Sequence, residues 1–458
     1  MNKKIFELGL IAILLLSCFS PISAVNIGEL QNNDFNKSNN YNSCCEGYTL
    51  ISLQPKFPLG KINQLLDIKF SITLIDMEKN IIKKWSPAYN HAKMLPNGSI
   101  ITRIFKNEDE GKLYDNLTQI GWDDNFEWDY DCFWIDEYGD EVSGNHHDFQ
   151  REGNPVGYYA PGQDFVENGI TLVLAHKITR NSSISWKEFE DDVIYEVNWN
   201  GTLTGFEWHA SDHIDKMGFN LKSRIGMWLR PGGPGLLIMG NKGDLLHINT
   251  ISYLGKNKWY DMEYEEFNPN NIMITSRHGN FIIIIDKDTG KIVWRVGPYF
   301  PKNTEENKLG QIIGPHHAHI IPDGLPGEGN VLVFDNGGRA GYGLFGNPNK
   351  FRLYSKVIEF NPISKEIVWE YQSKNGFINL IRQGKYHRFY SVIVGSAQRL
   401  PNGNTLITEG FTGRLFEVTP EKEIVWEYLT DRGFKIYRAY RIPPEWVPGN
   451  PAGYEFWE

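Results

Sequence analysis

Three histidines fall within four positions, His316, His317 and His319, in the stretch GPHHAHIIPDGLPGEGNVLVFDNGG of a chain that holds 12 histidines in all. Others recur as His146 and His147 in NHHDFQREG, as His247 with Asn249 in GDLLHINTISY, and as His278 beside Arg277 in IMITSRHGNF. Two chemistries suit such a set. In one, a neutral imidazole attacks an electrophile while cationic and amide donors hold the negative charge that develops. Arg277 offers a planar fork matched to a tetrahedral oxyanion. Asn249, two residues after His247, shares its strand face and could orient an imidazole or donate to a substrate oxygen. In the other, imidazoles bind a metal, with His317 and His319 chelating from one strand face and His247 as a third ligand. Zinc-type spacings are missing, however, and no cysteine lies near. His91, His176, His209, His213 and His387 read as surface or satisfied core residues.

The elements that must position these groups repeat. An apolar strand, a turn rich in Asp, Lys or Gly and a closing tryptophan recur as LIDMEKNIIKKW to Trp85, VNWNGTLTGFEW to Trp208, IIDKDTGKIVWRVG around Trp294, EFNPISKEIVWEY around Trp369 and EVTPEKEIVWEY around Trp426. IGWDDNFEWDY, around Trp128, is a degenerate sixth copy. Each copy reads as a hairpin, and helical periodicity is nearly absent. Six such units predict an all-β chain folded as a six-bladed β-propeller, an architecture that protects its sheet edges by radial repetition. Uneven spacing, 43 residues from Trp85 to Trp128 but 86 from Trp208 to Trp294, predicts irregular insertions. The strand after each closing tryptophan should be innermost. Aligned on the turns at Pro96, Pro322 and Pro401, Asn90, His316 and Gly395 then coincide, as do His91, His317 and Ser396, and the histidines should ring the mouth of a central channel.

Composition removes other classes. A net charge of -10 and a pI near 5.7 argue against a nucleic-acid or anionic-membrane partner, which would want a basic face. Aromatic residues reach 14%, and no apolar run long enough to span a bilayer follows position 30. The first 24 residues read as an export signal, with a lipid anchor at Cys18 or a retained membrane anchor as alternatives, so the body is expected outside the cytoplasm. Residues 25–46 read as a polar spacer and 47–458 as the propeller. Cys44 or Cys45 could bridge Cys132, but the chain is no disulfide scaffold. The acidic stretch WDDNFEWDYDCFWIDEYGDE reads as a solvated loop that could serve recognition or bind calcium. Oligomeric state leaves no mark in the sequence.

GDLLHINTISY, NPNNIMITSRHGNFIIIIDKDTGKIVWRVG and GPHHAHIIPDGLPGEGNVLVFDNGG, in that order, resemble the PAPS-independent arylsulfate sulfotransferases, with likeness running from GYTLISL at Gly47 to YRAYRIPPEWVPG near Pro448. The resemblance implies a six-bladed propeller that moves a sulfuryl group from a phenolic sulfate ester to a phenolic acceptor through a sulfated histidine, without nucleotide donor, cofactor or metal. The family's His-x-Asn falls on His247 and Asn249, and its Ser-Arg-His arginine on Arg277. Its Gln-His-x-Ala-Arg segment aligns with Pro315 to His319 and makes His316 the nucleophile. Pro315 replaces the glutamine and His319 the arginine, and a one-residue slip would move the role to His317. A further family histidine matches the His146–His147 pair, with His147 preferred. A proton for the leaving phenolate is expected from that pair or from His317, and His319, Arg339 and Ser396 are expected to bind substrate. Against this stand a metal-dependent propeller lyase or hydrolase, using His317, His319 and His247, and a secreted binding propeller without chemistry.

Overall fold

Six four-stranded antiparallel sheets form a ring in the computed structural model, which describes residues 43–55, 70–85, 89–107, 113–131, 133–135, 141–232, 243–342, 351–372, 389–431 and 434–457. The expected export signal (residues 1–24), residues 25–42 of the expected spacer, Cys132 and His387 lie outside the described residues. The innermost strands are Tyr89–Met94, Asn145–Arg151, Ile248–Tyr253, Pro315–Ile320, Ser396–Arg399 and Phe434–Ile442, opening blades 1 to 6, and each contacts the next around the channel. Blade 6 closes the ring. Its innermost strand comes from the C-terminal end of the chain and pairs with Tyr48–Pro55 from the N-terminal end, Tyr48 opposite Ile442. The fold is therefore the six-bladed propeller that the tryptophan repeat predicts.

The repeat has a physical reason. Each closing tryptophan lies on the outermost strand, and five of the six donate Nε1–H to a carbonyl in the outer turn of the following blade: Trp128 to Trp199, Trp208 to Gly290, Trp294 to Pro362, Trp369 to Pro420 and Trp426 to Met77, all at 2.8–3.0 Å. Trp85 departs from the rule. Its Nε1 is buried without a partner, and its ring sits edge-on to Trp122. Middle strands such as Phe281–Ile285 are apolar throughout because neighbouring blades cover both their faces.

Helix is scarce but present. Leu221–Leu229 is a helix whose N-cap Asn220 accepts from the Ser223 amide at 3.0 Å. The insertion before Arg277 forms one helical turn at Lys258–Asp261, pinned to blade 4 by Trp259 Nε1 on the Gly329 carbonyl at 2.6 Å. The acidic stretch is not the loop expected of it: Phe126–Asp131 is the outer strand of blade 1, and Phe133–Ile135 pairs with Glu141–Ser143 in a hairpin.

Bulges interrupt the innermost strands where the histidines lie. Register shifts between Asn145 and Phe149 and between His316 and His319, with His147 at φ 49° and His317 at φ 54°. His247, just ahead of its strand, has φ 52°. Histidine tolerates this left-handed region better than most residues, and a bulge there redirects the side chains on either side. Adjacent histidines thus face different surroundings.

Candidate active site

His316 opens the innermost strand of blade 4, and its ring is fixed from one side. Nδ1 lies 2.7 Å from Asn336 Oδ1 and 3.1 Å from the Gly314 carbonyl. The Asn336 amide cannot turn over, because Nδ2 already donates to the Ser391 and Val394 carbonyls at 2.7 and 2.8 Å. Both groups facing Nδ1 are therefore acceptors, so Nδ1 carries the proton and Nε2 the lone pair. Nε2 has no hydrogen bond among the described residues. Burial, reinforced by Arg277 and His247, pushes the pKa of His316 down to about 3, which keeps the ring neutral.

Arg277 lies in the turn after Ile272–Ser276, tied by its backbone N–H to the His247 carbonyl at 3.1 Å. Its Nε is buried without a partner, no ion pair to its guanidinium occurs among the described residues, and burial lowers its pKa. A cation so placed lacks an anion.

Blades 2 and 3 supply the rest of the pocket. Asp244 Oδ1 accepts the His247 amide at 2.9 Å, and Oδ2 bonds His247 Nδ1. His278 Nδ1 lies 3.1 Å from the Asp244 carbonyl. The ring of His147 stands edge-on to His247, centroids 4.4 Å apart, and its Nδ1 is 2.7 Å from His146 Nδ1. His176, expected to be unremarkable, stacks on His146 and faces Asp192. Asp192, Asp244, His176 and Asn336 all escaped the sequence analysis. The acidic run Glu190, Asp191 and Asp192 inside the largely buried strand Phe189–Val197 is the cue that could have found one of them.

Below this pocket the channel is closed by a hydrogen-bonded plug. Asp148 sits at its centre, with Lys93 Nζ at 2.9 Å, Arg438 Nη1 at 3.1 Å and His91 Nε2 at 3.2 Å. Burial alone would raise its pKa, but Arg438 and Lys93 outweigh it and hold the carboxyl well below its ordinary range. His91 is accordingly part of the plug.

Several expected site residues belong to that plug as well. His317 Nδ1 faces the Ala397 carbonyl at 3.0 Å and Nε2 the Tyr440 hydroxyl at 3.4 Å. His319 Nδ1 faces the His317 carbonyl at 3.0 Å and Nε2 the Tyr158 hydroxyl at 2.8 Å. With all four ring nitrogens engaged and His247 in the upper pocket, the metal set His317, His319 and His247 is not brought together. Neither His317 nor His319 reaches the pocket, because the bulge turns them inward. Ser396 donates to Thr408 Oγ1 at 3.0 Å inside blade 5 and does not reach it either. Asn249 is fully buried, with Nδ2 on the Pro315 carbonyl at 2.9 Å, so it fastens blade 3 to the His316 strand. Arg339 is exposed, three residues beyond Asn336 in the segment that follows the strand Val331–Asp335.

The family model for Arylsulfotransferase (ASST) matches residues 162–431. Among solved structures, the chain is similar to a protein of unknown function from Bacteroides caccae, at 12% identity over 87% of this chain and 99% of that one, with a TM-score of 0.42. It is also similar to apo AztD from Citrobacter koseri, at 9% identity over 87% and 98% of the two chains, TM-score 0.36. Virginiamycin B lyase from Staphylococcus aureus matches at 12% identity over 79% and 78%, TM-score 0.30. No curated protein matches the chain.

Proposed function

The chain belongs to the arylsulfotransferase family, and from that premise we propose that it transfers a sulfuryl group from a phenolic sulfate ester to a phenolic acceptor through His316. The observation that carries this reading is the pairing of a neutral, oriented imidazole with an arginine that has no anion of its own.

His316 Nε2 attacks sulfur in line with the aryl oxygen. The new S–N bond forms as the S–O bond breaks, and the electron pair of that bond leaves on the phenolate. Sulfuryl transfer resembles phosphoryl transfer in its loose transition state, with charge on the non-bridging and leaving oxygens, so positioning and electrostatics supply most of the acceleration. Arg277 meets the sulfonate oxygens. Asn249 acts one step back, through the Pro315 carbonyl it holds.

The leaving phenolate takes up a proton, since phenol ionises near pH ~10. His147 is poorly suited to give it, because burial and the neighbouring His247 and His146 hold its pKa well below 6.5. His247 is better suited, with Nδ1 on the Asp244 carboxylate, which fixes the orientation of the imidazole. In the second half-reaction His247 takes the acceptor's phenolic proton, the acceptor oxygen attacks sulfur, and the S–N bond breaks to restore His316. The exposed Arg339 and nearby aromatic groups would receive the aryl substrates. Residues 1–24 act as the export signal in this reading, and the propeller works outside the cytoplasm.

The test is peptide mass spectrometry after brief incubation with 4-nitrophenyl sulfate and no acceptor, alongside His316→Ala. One sulfuryl group on the peptide spanning 314–324, located on His316 by fragmentation and lost in the variant, supports the reading. A sulfuryl group on His317, or nitrophenol released by His316→Ala at the rate of the unaltered protein, defeats it.

A further inference from the structure

Beside the His316 pocket, three side chains of blade 2 converge in a way hydrogen bonding does not explain. His146 comes from the innermost strand, His176 from the next strand, Thr171–Thr179, and Asp192 from the third, Phe189–Val197, where it is directly opposite His176. The two imidazoles stack with centroids 3.5 Å apart. Both direct Nε2 at the same oxygen, Asp192 Oδ1, at 3.2 and 3.5 Å. Those are hydrogen-bond distances without hydrogen-bond angles: His146 Nε2, His176 Nε2 and Asp192 Oδ2 are each buried and without a hydrogen-bond partner. Leaving a buried polar atom unsatisfied costs about 1–3 kcal/mol, so three in one place call for a ligand.

The spacing fits a metal. With ligand bonds of about 2.0–2.2 Å in a tetrahedral site, neighbouring donor atoms stand about 3.3–3.6 Å apart. The two measured separations lie at that edge length, and the three donor atoms lie within 4.8 Å of one another. The surrounding contacts also suit coordination. His146 Nδ1 is fixed against His147 Nδ1 at 2.7 Å, and Asp192 Oδ1 accepts the Ile248 amide at 3.2 Å, the kind of outer contact that orients metal ligands. The His176 side chain is 19% exposed although its Nε2 is buried, so its ring marks the side nearest solvent from which an ion would enter. Asp244 Oδ1, 3.6 Å from His176 Nε2, is the next carboxylate on that side.

We propose that His146 Nε2, His176 Nε2 and a carboxylate oxygen of Asp192 bind a divalent first-row metal ion of the zinc class, with one position left open. Two imidazoles and a carboxylate are borderline ligands that suit such an ion better than calcium or magnesium. The site uses neither His316 nor Arg277 and stands whether or not the sulfuryl reading does.

The test is a titration of the chelator-stripped full-length protein with Co2+, followed by displacement with Zn2+. One equivalent of Co2+ should produce visible d–d absorption of a low-coordinate site, and Zn2+ should abolish it. His176→Ala and Asp192→Asn should each weaken Zn2+ binding by about 100-fold or more while the far-ultraviolet spectrum stays that of the parent. His176→Gln replaces the alanine variant should that one not fold. His316→Ala should bind Co2+ as the parent does, whatever becomes of sulfuryl transfer. Absence of a stoichiometric Co2+ site in the parent overturns the proposal, as do folded His176 and Asp192 variants that bind like the parent.

Discussion

Replacing Arg277 by methionine should separate stability from activity, and in opposite directions. The guanidinium Nε is buried without a partner among the described residues, and burial lowers the group's pKa despite the Asp244 carboxylate, so the folded state carries a desolvation cost that is returned only in part. Methionine fills similar length without charge. Replacing poorly compensated buried charge by apolar groups is often neutral or stabilising by about 1–4 kcal/mol, and Arg277 is only partly buried, so about 1 kcal/mol is the fitting figure. At roughly 2.1 cal/mol/K per residue, a unit of this size has an unfolding entropy near 0.9 kcal/mol/K, so Tm should be unchanged or rise by about 1 °C. Activity should collapse. Removing a single oxyanion donor costs about 10²–10³ in rate, and a charged fork should cost at least the upper figure in kcat/KM for 4-nitrophenyl sulfate. Arg277→Lys keeps the charge but loses the paired donors, and should fall between. A Tm drop of about 3 °C would mean that the guanidinium has a structural partner, and a kcat/KM within tenfold of the parent would mean that it does not meet the sulfonate.

Three further outcomes follow from the same contacts. Trp426→Phe should cost about 1–3 kcal/mol by stranding the Met77 carbonyl, whereas Trp85→Phe should cost less because its Nε1 has no acceptor to lose; equal losses in urea unfolding would remove the staple from the explanation of the repeat. His317→Asn should lower stability by about 1–2 kcal/mol, through the lost Tyr440 and Ala397 contacts, yet still accept a sulfuryl group on His316; absence of that adduct in a folded variant would count against the assignment. Stability should fall on mild acidification. Burial, ahead of every other influence, holds His91, His316 and His319 at about 3 in the folded state against 6.5 when unfolded, so between those values the unfolded chain binds protons that the native chain does not. The loss begins as pH drops through 6.5 and approaches about 4 kcal/mol per pH unit for the three together, at about 1.36 kcal/mol each; a urea midpoint that stays flat from pH 7 to pH 5 would contradict it.

The ring of blades was legible because it is written in a period. Five of the six closing tryptophans reach the turn of the next blade, and a contact repeated at nearly every blade repeats in the sequence. Placing His146, His147, His247 and His316 on or beside innermost strands was legible for the same reason. Which neighbour faces the pocket was not. His316 and His317 differ by a bulge at φ 54°, and that bulge is set against the partner strand Val331–Asp335, with which His316 pairs at Phe334 and His319 at Leu332. Alignment on the Pro322 turn carries no trace of it. His176 was missed because it stands on a second strand, outside the repeat register, and Asp192 and Asp244 because acidic residues in an acidic all-β chain read first as solvated edges.

What distinguishes His316 from His247 and His91 is the neutrality of its partners. His247 has a carboxylate on Nδ1 and His91 has one on Nε2, so each ring sits against a full negative charge. His316 instead faces an amide oxygen and a backbone carbonyl. These orient Nδ1–H without adding charge. A covalent intermediate must form and then break, so a nucleophile made too basic would hold its sulfuryl group too firmly to pass it on. Asn336, itself clamped by two carbonyls, gives His316 orientation without that excess basicity, and the unpaired Arg277 supplies attraction to the anion from a separate direction. In the plug, by contrast, Asp148 already engages both Lys93 and Arg438. Arg277, with no ion pair among the described residues, lies in the upper pocket, and in the proposed reading anionic substrates are drawn to the end of the channel where His316 keeps its free nitrogen.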